Sequence, residues 1–352
     1  LLLVELRNQL ARKAGCQPKG RRRRWGARSN RGVTTLSHMP PEWHEHERSW
    51  LAFPHHGYTL GETEAEQIAA RKTWAEVANK ASDFEPVTVV VHPADVKQAR
   101  KHLSAQIDIA EIEIDDAWLR DSGPTFVIDD GQLAAVDWIF NGWGAQPWAS
   151  YEKDALVAGV IADQIGVRKL ASDLVNEGGG IHVDGNGRVL LTETVQLGKD
   201  RNPGLSKEEA EAEIHQKLGT TEAIWLKRGL TRDYDEFGTK GHVDIVACFT
   251  PDGRVLYHAQ NNERHPDYLV SQEVKQTLEA AGLETVAISA PEVQVDEHGF
   301  VDYSYINHYV LNDAVLLCSF DDPRDKEVAA QLKDIYPGRK IELIDARELF
   351  SR

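Results

Sequence analysis

The chain has 352 residues, of which 41% are hydrophobic and 27% charged. This length allows a full hydrophobic core, which excludes a peptide hormone or a disulfide-stapled miniprotein. The proportions of hydrophobic and charged residues are those of an ordinary globular protein, which excludes disorder over most of the chain. Residues 1–38 hold ten Lys/Arg and one acid, so the remainder has 30 basic and 55 acidic residues, a charge of −25. An acidic body argues against nucleic acid as a partner and favours a cationic ligand.

The first 38 residues differ from the rest, because they are basic and have no sustained hydrophobic periodicity. The fold is expected to start at Met39, the single methionine, and residues 1–38 are predicted to be a disordered or non-native leader. They lack the long apolar segment of a secretory signal, and no run in the chain approaches the roughly 20 apolar residues of a membrane span. Cys16, Cys248 and Cys318 have no C-x-x-C spacing, which fits a reducing cytoplasm rather than a disulfide framework.

Predicted helices and strands follow one another in a recurring order along the body. Helical composition, β-branched runs and turn residues predict the elements of its first half. They are a helix over 62–80, a strand at Val87–Val91, a helix at Ala94–Leu103, strands at 107–114, 125–128 and 133–140, a helix at Asp154–Ile165, a hairpin of 181–183 with 188–193, and a helix that begins at the capping residue Ser206.

The second half continues the same order. Its predicted elements are strands at 223–226, 242–249 and 254–259, a helix over 266–281, strands at 285–289, 303–311 and 314–319, a helix at Asp325–Ile335, and a strand at 340–344. The body therefore reads as five rounds of hairpin, helix and strand, each of about 60 residues, which indicates a radially repeated architecture. No Pro- or Ser-rich linker divides it, so residues 39–352 are predicted to be one domain.

The stretch TKGHVDIVACF places a histidine and an aspartate two residues apart on a predicted strand. In a strand His242 and Asp244 would point to the same face, and Gly241 before them would leave room for a ligand. A histidine satisfied at a strand edge, beside a solvated aspartate, would give the same pattern. The stretch alone therefore leaves both interpretations open.

Three other stretches favour a binding site. DDAWLRDSGP combines carboxylates with Trp118 and Arg120 after a strand, NEGGGIHVD places Glu177 before three glycines, and DYSYINHYVL carries Asn307 among aromatic residues. The glycine run lacks the spacing of a phosphate loop, which suggests that backbone must come close to another group. Carboxylates, a histidine and an aromatic face suit a planar cation such as a guanidinium.

At these residues the sequence resembles the agmatine deiminase and bacterial-type peptidylarginine deiminase family of guanidino-group-modifying enzymes. The resemblance covers nearly everything from Met39 to Arg352. It is carried by PPEWHEHERSWLAFP, DDAWLRDSGPTF, VDWIFNGWG, NEGGGIHVDGNG, RNPGLSK, GHVDIVACF and YINHYVLNDAV. It implies an α/β fold, a five-bladed pseudo-symmetric propeller of the pentein type built from repeated ββαβ units around a central active site.

The resemblance also implies roles for particular residues. The two aspartates that hold the guanidinium fall on Asp121 and Asp244, the general acid/base on His242, and the glutamate that orients it on Glu177. Trp118 would line the substrate slot. Asn307 would contact the reacting end of the substrate.

The implied reaction is hydrolysis of a guanidinium to a urea with loss of ammonia, through a cysteine thiolate and without a metal or cofactor. The family's cysteine lies in a glycine-rich Ile-His-Cys stretch near the C-terminus, which these 352 residues do not contain. On a strand Cys248 would lie about 20 Å from His242, and the apolar surroundings of Cys318 would suppress its thiolate. The chain is therefore expected to be truncated before its nucleophile, and to bind a guanidinium ligand without turning it over.

Several alternatives remain at this point. The acidic body favours agmatine, converted to N-carbamoylputrescine, over free arginine or peptidylarginine, although the acidic approach TRDYDEFGTKGHVDIV is longer than that of typical agmatine deiminases. A non-catalytic guanidinium-binding protein is a further possibility. A metal-dependent hydrolase would use His44, His46, His55 or His56, but these lack H-E-x-x-H spacing. The resemblance suggests a homodimer, and no nucleic-acid or membrane partner is expected.

Overall fold

The computed structural model describes residues 3–6 and 37–351. The elements around its first sheet are β1 (Leu3–Leu6), β2 (His46–Ala52), α1 (Gly57–Leu60), α2 (Glu64–Ala81), β3 (Val87–Val91), α3 (Val96–Ala99) and β4 (Asp108–Glu111). The strands lie in the order β1-β2-β3-β4. Strands β2, β3 and β4 are parallel, whereas β1 is antiparallel to β2.

The second and third sheets repeat one pattern of pairing. Their elements are α4 (Leu119–Ser122), β5 (Thr125–Asp129), β6 (Gln132–Ile139), α5 (Gly142–Ala145), α6 (Asp154–Ile165), β7 (Arg168–Val175), β8 (Ile181–Val183), β9 (Arg188–Thr192), α7 (Glu193–Gln196), α8 (Lys207–Leu218) and β10 (Glu222–Leu226). In each sheet an antiparallel hairpin is followed by a helix and by a third strand parallel to the second.

The last two sheets are built in the same way. Their elements, with a small hairpin between them, are β11 (Ala247–Phe249), β12 (Val255–Ala259), α9 (Asp267–Ala280), β13 (Thr285–Ser289), β14 (Val295–Asp296), β15 (Gly299–Phe300), β16 (Tyr309–Val310), β17 (Ala314–Ser319), α10 (Arg324–Ile335), β18 (Lys340–Asp345) and α11 (Arg347–Phe350). Within the described ranges the chain thus forms five sheets of three or four strands and one two-stranded hairpin.

This recurrence confirms the predicted α/β class. The middle strands β3, β9, β12 and β17 are almost fully buried, as in the run VTVVV of β3, because both faces of each strand are covered. Helix α2 shows how the cover forms, since its small residues and Trp74 face the first sheet while its charged residues face outward. Closure of the five sheets into a propeller stays a prediction.

Two of the predicted strands are wrong in part. The run 242–249 is a strand only at Ala247–Phe249, and residues 243–246 form a turn in which the Val246 and Ala247 amides donate to the Val243 carbonyl. The run 303–311 is a strand only at Tyr309–Val310. In both places the apolar and aromatic residues are buried in loops, where periodicity alone cannot distinguish them from strand residues.

Part of the expected leader is structured. Leu3–Leu6 forms β1 and pairs with β2, and the His38 amide and carbonyl bond to Ile128. Residues 7–36 lie outside the described residues, so the domain boundary at Met39 stays a prediction. In residues 3–6 and 37–351, no helix combines the length and apolar character needed to cross a membrane.

The N-terminus of α2 offers a test of local stability. The Glu66 amide donates to Thr63 Oγ1 at 3.3 Å, and the Thr63 amide donates to Glu66 Oε2 at 2.8 Å. Replacing Thr63 with Ala leaves one of these amides without its acceptor, so we expect the free energy of unfolding to fall by about 1 kcal/mol. Urea denaturation measures this, and Thr63→Ser, which keeps the hydroxyl, should lose much less. Equal midpoints for all three proteins would contradict the capping assignment.

Candidate active site

The structure brings the four predicted catalytic residues together from three segments. Asp121 lies in the single turn of α4, Glu177 directly before the 3-10 turn Gly178–Gly180, and His242 and Asp244 before β11. All four contribute to one cluster around the His242 ring. The geometric part of the sequence prediction is therefore met, while the roles of these residues remain predictions.

Three carboxylates surround the His242 imidazole. Its Nε2 lies 3.5 Å from Glu177 Oε2, and its Nδ1 lies 3.9 Å from Asp121 Oδ1 and 4.0 Å from Asp244 Oδ1. The two ring nitrogens thus face different partners, Glu177 on one side and the aspartate pair on the other. The side with the two aspartates is the one open to a ligand, because Asp121 and Asp244 both line the adjacent cavity.

The glycine run explains how these segments approach so closely. The Gly179 amide donates to Asp121 Oδ1 at 3.0 Å, and the Gly179 carbonyl accepts from the amides of Val243 and Asp244 at 3.2 and 3.3 Å. A Cβ on Gly179 would overlap the His242 ring and the Asp121 carboxylate. Glycine is required here for close approach of backbone to side chains, as the sequence indicated.

Asp121 is oriented by a residue that the sequence analysis missed. Trp143 Nε1 donates to Asp121 Oδ2 at 3.0 Å, so both carboxylate oxygens have a donor. Trp143 is 4% exposed and has a φ of 55°, a left-handed conformation that a bulky residue seldom adopts. Such strain at a buried tryptophan indicates a positioning role. Trp143 lies in the motif VDWIFNGWG, but the sequence analysis assigned it no role.

Glu177 is held by a buried arginine that was also missed. Arg201 Nε donates to both Glu177 oxygens, at 2.8 and 3.2 Å, and its terminal nitrogen donates to the Thr239 carbonyl at 2.6 Å. The two side chains are 2% and 0% exposed. Burial works to raise the pKa of Glu177, but the charges of Arg201 and His242 hold it below its ordinary value. Glu177 is therefore a permanent carboxylate beside the imidazole.

Asp233 fixes the backbone on which His242 sits. Its carboxylate accepts from the amides of Thr239, Gly241 and His242, at 2.6, 2.6 and 3.1 Å. This buried side chain gathers successive amides of the turn, so it sets the direction of the His242 side chain without touching the ring. The acidic stretch TRDYDEFGTK, which looked like an entrance loop, thus contains one internal positioning residue.

The electrostatics of the cluster favour a bound cation. Burial lowers the affinity of His242 for its proton, but Asp121, Glu177 and Asp244 outweigh this and raise its pKa to about 9. Burial raises the pKa of Asp244 to about 6. Because ionisation of Asp244 is unfavourable, a second positive charge nearby would stabilise its carboxylate form. A guanidinium between Asp121 and Asp244 would supply that charge.

A cavity of about 340 Å³ opens from this cluster. Trp118 and Asn307, the two predicted substrate-binding residues, line it together with Asp121, His242 and Asp244. Asn307 Nδ2 also donates to the Asp244 carbonyl at 3.5 Å. Five of the six predicted site residues therefore line one cavity, and Glu177 lies beside it, buried against His242.

Aromatic rings from separate loops cover the outer part of the cavity. The Tyr58 and Phe237 rings stack with centroids 3.9 Å apart, and Trp148 packs edge-on against Phe237 at 5.6 Å and stacks on Trp143 at 5.3 Å. We call Tyr58, Trp148 and Phe237 the aromatic roof. It narrows the entrance to the cavity.

Neither body cysteine is prepared for nucleophilic attack. Cys318 lines the cavity, but its Sγ donates to the Asn307 carbonyl at 2.9 Å, and burial raises its pKa to about 12. Burial also raises the pKa of Cys248 well above its ordinary value. The expected distance between Cys248 and His242 assumed an extended strand, which is wrong. Cys248 is instead excluded as the nucleophile because it is buried and its thiol is protonated. Cys16 lies outside the described residues.

The histidines considered for a metal-dependent hydrolase do not converge on this cavity. His46 is buried, with Nδ1 3.1 Å from Glu85 Oε1 and Nε2 2.7 Å from the Glu42 carbonyl, while His44 bonds only locally to the Glu45 carbonyl. His55 lies beside Asp95. None of these three, nor His56, lines the cavity of His242.

Fold and site together define an α/β protein with an acid-lined, partly roofed cavity for a cation. The sequence profile of the family described as Porphyromonas-type peptidyl-arginine deiminase matches residues 38–352. The chain belongs to this family.

The similarity extends to individual relatives. A Streptomyces coelicolor protein named "Putative agmatine deiminase" is 54% identical over 322 residues, which cover 89% of this chain and 94% of that protein. The agmatine deiminase of Ectopseudomonas mendocina is 34% identical over 347 residues, with 89% and 91% covered. The structure of the agmatine deiminase of Enterococcus faecalis superimposes with a TM-score of 0.82 at 30% identity, covering 92% of this chain and 95% of that one.

The buried pair of Arg201 and Glu177 gives a prediction about stability. Removing the arginine leaves a buried carboxylate without its compensating charge, so Arg201→Met should lower the free energy of unfolding by about 3–5 kcal/mol. The control is Arg228→Met, because Arg228 makes a similar two-point pair with Glu273 at 3.0 Å, but with side chains 39% and 38% exposed.

That exposed pair should contribute at most about 1 kcal/mol. Urea denaturation of both variants against the unmodified chain makes the comparison. Equal losses of unfolding free energy in the two variants would contradict the proposal that the buried pair contributes more to stability than the exposed pair.

The ionisation of His242 can be measured directly. Its pKa in the folded chain, about 9, lies above the ordinary value near 6.5. The interaction therefore stabilises the fold fully below about pH 6.5, and this contribution is lost as the pH rises through 9. Proton NMR titration of the imidazole should give a midpoint near pH 9, lower in Asp121→Asn. A midpoint near 6.5 in the unmodified chain would contradict the carboxylate cluster.

Proposed function

We propose that this protein is a deiminase that hydrolyses the guanidinium group of agmatine to N-carbamoylputrescine and ammonia. The observation that carries the proposal is the convergence of Asp121, Glu177 and Asp244 on His242, beside a cavity that Asp121, His242 and Asp244 line. Membership of the family supports the reaction class, and the relatives named as agmatine deiminases support the substrate.

The residues of the cavity divide the chemistry between them. Asp121 and Asp244 bind the guanidinium by charge-assisted hydrogen bonds and fix its plane. A cysteine thiolate attacks the guanidinium carbon, and the C–N bond to the leaving nitrogen breaks as protonated His242 donates its proton to form ammonia. His242, now neutral, takes one proton from water, whose oxygen bonds to the same carbon and displaces the sulfur as a thiolate. The second water proton passes to solvent, giving the urea.

Glu177 and Arg201 prepare His242 for both steps. The carboxylate of Glu177 stabilises the imidazolium before ammonia leaves, and Arg201 keeps that carboxylate ionised. The raised pKa of His242, about 9 before ligand binds, would fall when the guanidinium brings a second positive charge to the same carboxylates. His242 would then be able to release its proton in the first step and accept one in the second.

The thiolate is the one part of this chemistry that the described residues do not supply in a reactive state. Cys248 and Cys318 are both buried with raised pKa values. The 352-residue chain is therefore expected to bind guanidinium ligands without turnover. The non-catalytic binding protein remains the second candidate function for the same reason.

The outer part of the cavity favours agmatine over arginine and peptidylarginine. Asp235, Glu236 and Asp302 line it, and Arg232, which could otherwise receive a substrate carboxylate, is paired with Asp296 at 2.6 Å. Burial raises the pKa of Asp302 to about 7. An ammonium group beside Asp302 would favour its ionised form and pair with it. The aromatic roof lines the same cavity, and we infer that it favours a small guanidinium compound over an arginine within a polypeptide. A cytoplasmic homodimer stays a prediction.

Ligand binding tests the proposed function in the chain as it exists. Isothermal titration calorimetry should show agmatine binding at one site per chain, weakened at least tenfold in Asp244→Asn, since a charge-assisted bond contributes about 1.5–3 kcal/mol. Arginine should bind more weakly than agmatine. If neither guanidinium compound binds, the proposal is wrong.

The catalytic state of the cysteines is tested by ammonia release. The unmodified chain with agmatine should release no more ammonia than Cys318→Ser or Cys248→Ser, because both thiols remain protonated. Release that is present in the unmodified chain and abolished in Cys318→Ser would make Cys318 the nucleophile. Circular dichroism of the variants controls for folding.

Recognition of the substrate tail can be separated from recognition of the guanidinium. Asp302→Asn should weaken agmatine binding about tenfold, because it removes the carboxylate expected to receive the ammonium. It should leave the affinity for n-butylguanidine, which lacks that ammonium, unchanged. Asp235→Asn is the matched control, since Asp235 lines the same cavity but is exposed and should change either affinity by less than about threefold. Equal effects of Asp302→Asn on both ligands would remove Asp302 from tail recognition.

A further inference from the structure

A second cluster of functional side chains lies at the carboxyl edge of the first sheet. Strands β2, β3 and β4 are parallel neighbours, so their carboxyl ends meet at the same edge. His55 follows the end of β2, and His92 directly follows β3, with Asp95 in the 3-10 turn after it. Such edges are common places for ligands in α/β proteins.

The side chains of this cluster already lie within coordination range of one another. One donor atom from each of His55, His92 and Asp95 can be chosen so that all three lie within 4.8 Å. His55 Nδ1 is 2.5 Å from Asp95 Oδ2, and the two imidazole rings are stacked with centroids 3.6 Å apart and planes 3° from parallel. A tetrahedral ion with bonds of about 2.0–2.2 Å needs its donors about 3.4 Å apart. Because imidazole binds an ion in its ring plane, the two rings would rotate out of their stack to share it.

The cluster is accessible and separate from the proposed active site. The side chains of His55 and Asp95 are 27% and 18% exposed, so an ion could reach them from solvent and keep a water in a fourth position. None of His55, His92 and Asp95 lines the cavity that holds His242. The set of two imidazoles and one carboxylate is a ligand combination of open zinc sites.

We propose that His55, His92 and Asp95 form a binding site for a divalent transition-metal ion, with Zn²⁺ as the first candidate. The ion would take the place of the proton between His55 and Asp95. If the ion binds His92 Nδ1, it replaces the hydrogen bond that this atom accepts from the Ala94 amide at 3.2 Å. If it binds His92 Nε2, the ring changes tautomer. Borderline N/O ligand sets of this kind bind Zn²⁺, Co²⁺, Ni²⁺ and Cu²⁺ rather than Mg²⁺ or Ca²⁺.

This site is independent of the proposed deiminase chemistry. No step of the guanidinium reaction uses it. The same segment carries Tyr58 of the aromatic roof three residues after His55.

The test is metal titration of the full chain without an affinity tag. Zn²⁺ measured by calorimetry, and Co²⁺ measured by its visible absorption, should each show one tight equivalent per chain. His55→Ala, His92→Gln and Asp95→Asn should each weaken this equivalent at least about tenfold. His56→Ala is the matched control, because His56 is the adjacent exposed histidine outside the cluster, and it should leave the affinity unchanged.

Thermal unfolding of each variant without metal shows whether it is folded. Because three ligands are replaced separately, the test does not depend on any one variant folding. The inference is overturned if the chain binds no equivalent of Zn²⁺. It is also overturned if His55→Ala and His92→Gln, both folded, bind Zn²⁺ as tightly as the unmodified chain, because the ion would then occupy other ligands. Neither outcome depends on whether agmatine binds, so the result stands apart from the proposed function.

Discussion

Repulsion among carboxylates assembled around one imidazole is the constraint on which the site depends. Asp121, Glu177 and Asp244 lie within 4.0 Å of His242, where water screens their charges poorly. Without compensation this arrangement would open or take up protons. The protonated imidazole and Arg201 supply two positive charges, while burial still raises the pKa of Asp244 to about 6. A further positive charge beside Asp244 would favour its ionised form.

The rest of the local structure keeps these charges from separating. The Gly179 amide donates to Asp121, and the Val243 and Asp244 amides donate to the Gly179 carbonyl, which joins two segments of backbone. Asp233 and Trp143 fix the directions of His242 and Asp121 without entering the chemistry. Because so many fixed donors hold the acids in place, a guanidinium would find its partners already oriented, and little binding energy would go into ordering them.

The second cluster illustrates a different use of the same sheet architecture. In the cavity of His242 the acids come from loops of several sheets, whereas His55, His92 and Asp95 come from the carboxyl edge of one parallel sheet. Parallel strands bring the ends of distant segments side by side. The distance between His55 and His92 in sequence therefore says little about their separation in space.

The order of helices and strands could be predicted because each element carries its own signal. Helix Asp154–Ile165 was placed to the residue, and the middle strands were recognised as continuous β-branched runs. Residues 242–246 were misplaced, because their apolar pattern fits a strand while hydrogen bonds to Gly179 fold them into a turn. That turn depends on a segment about 60 residues earlier in the chain, which no local pattern reports.

The sequence by itself determined the α/β class and the family, since these follow from periodicity and from long motifs that a single chain displays. It also predicted the six site residues, five of which line the cavity while Glu177 lies beside it. Tertiary structure alone decided which groups hold those residues in place. Arg201, Trp143 and Asp233 appear in the sequence as ordinary charged or aromatic residues, and their importance arises from burial and from hydrogen bonds across distant segments. The same holds for His55 and His92, whose rings meet only because β2 and β3 lie side by side in one sheet.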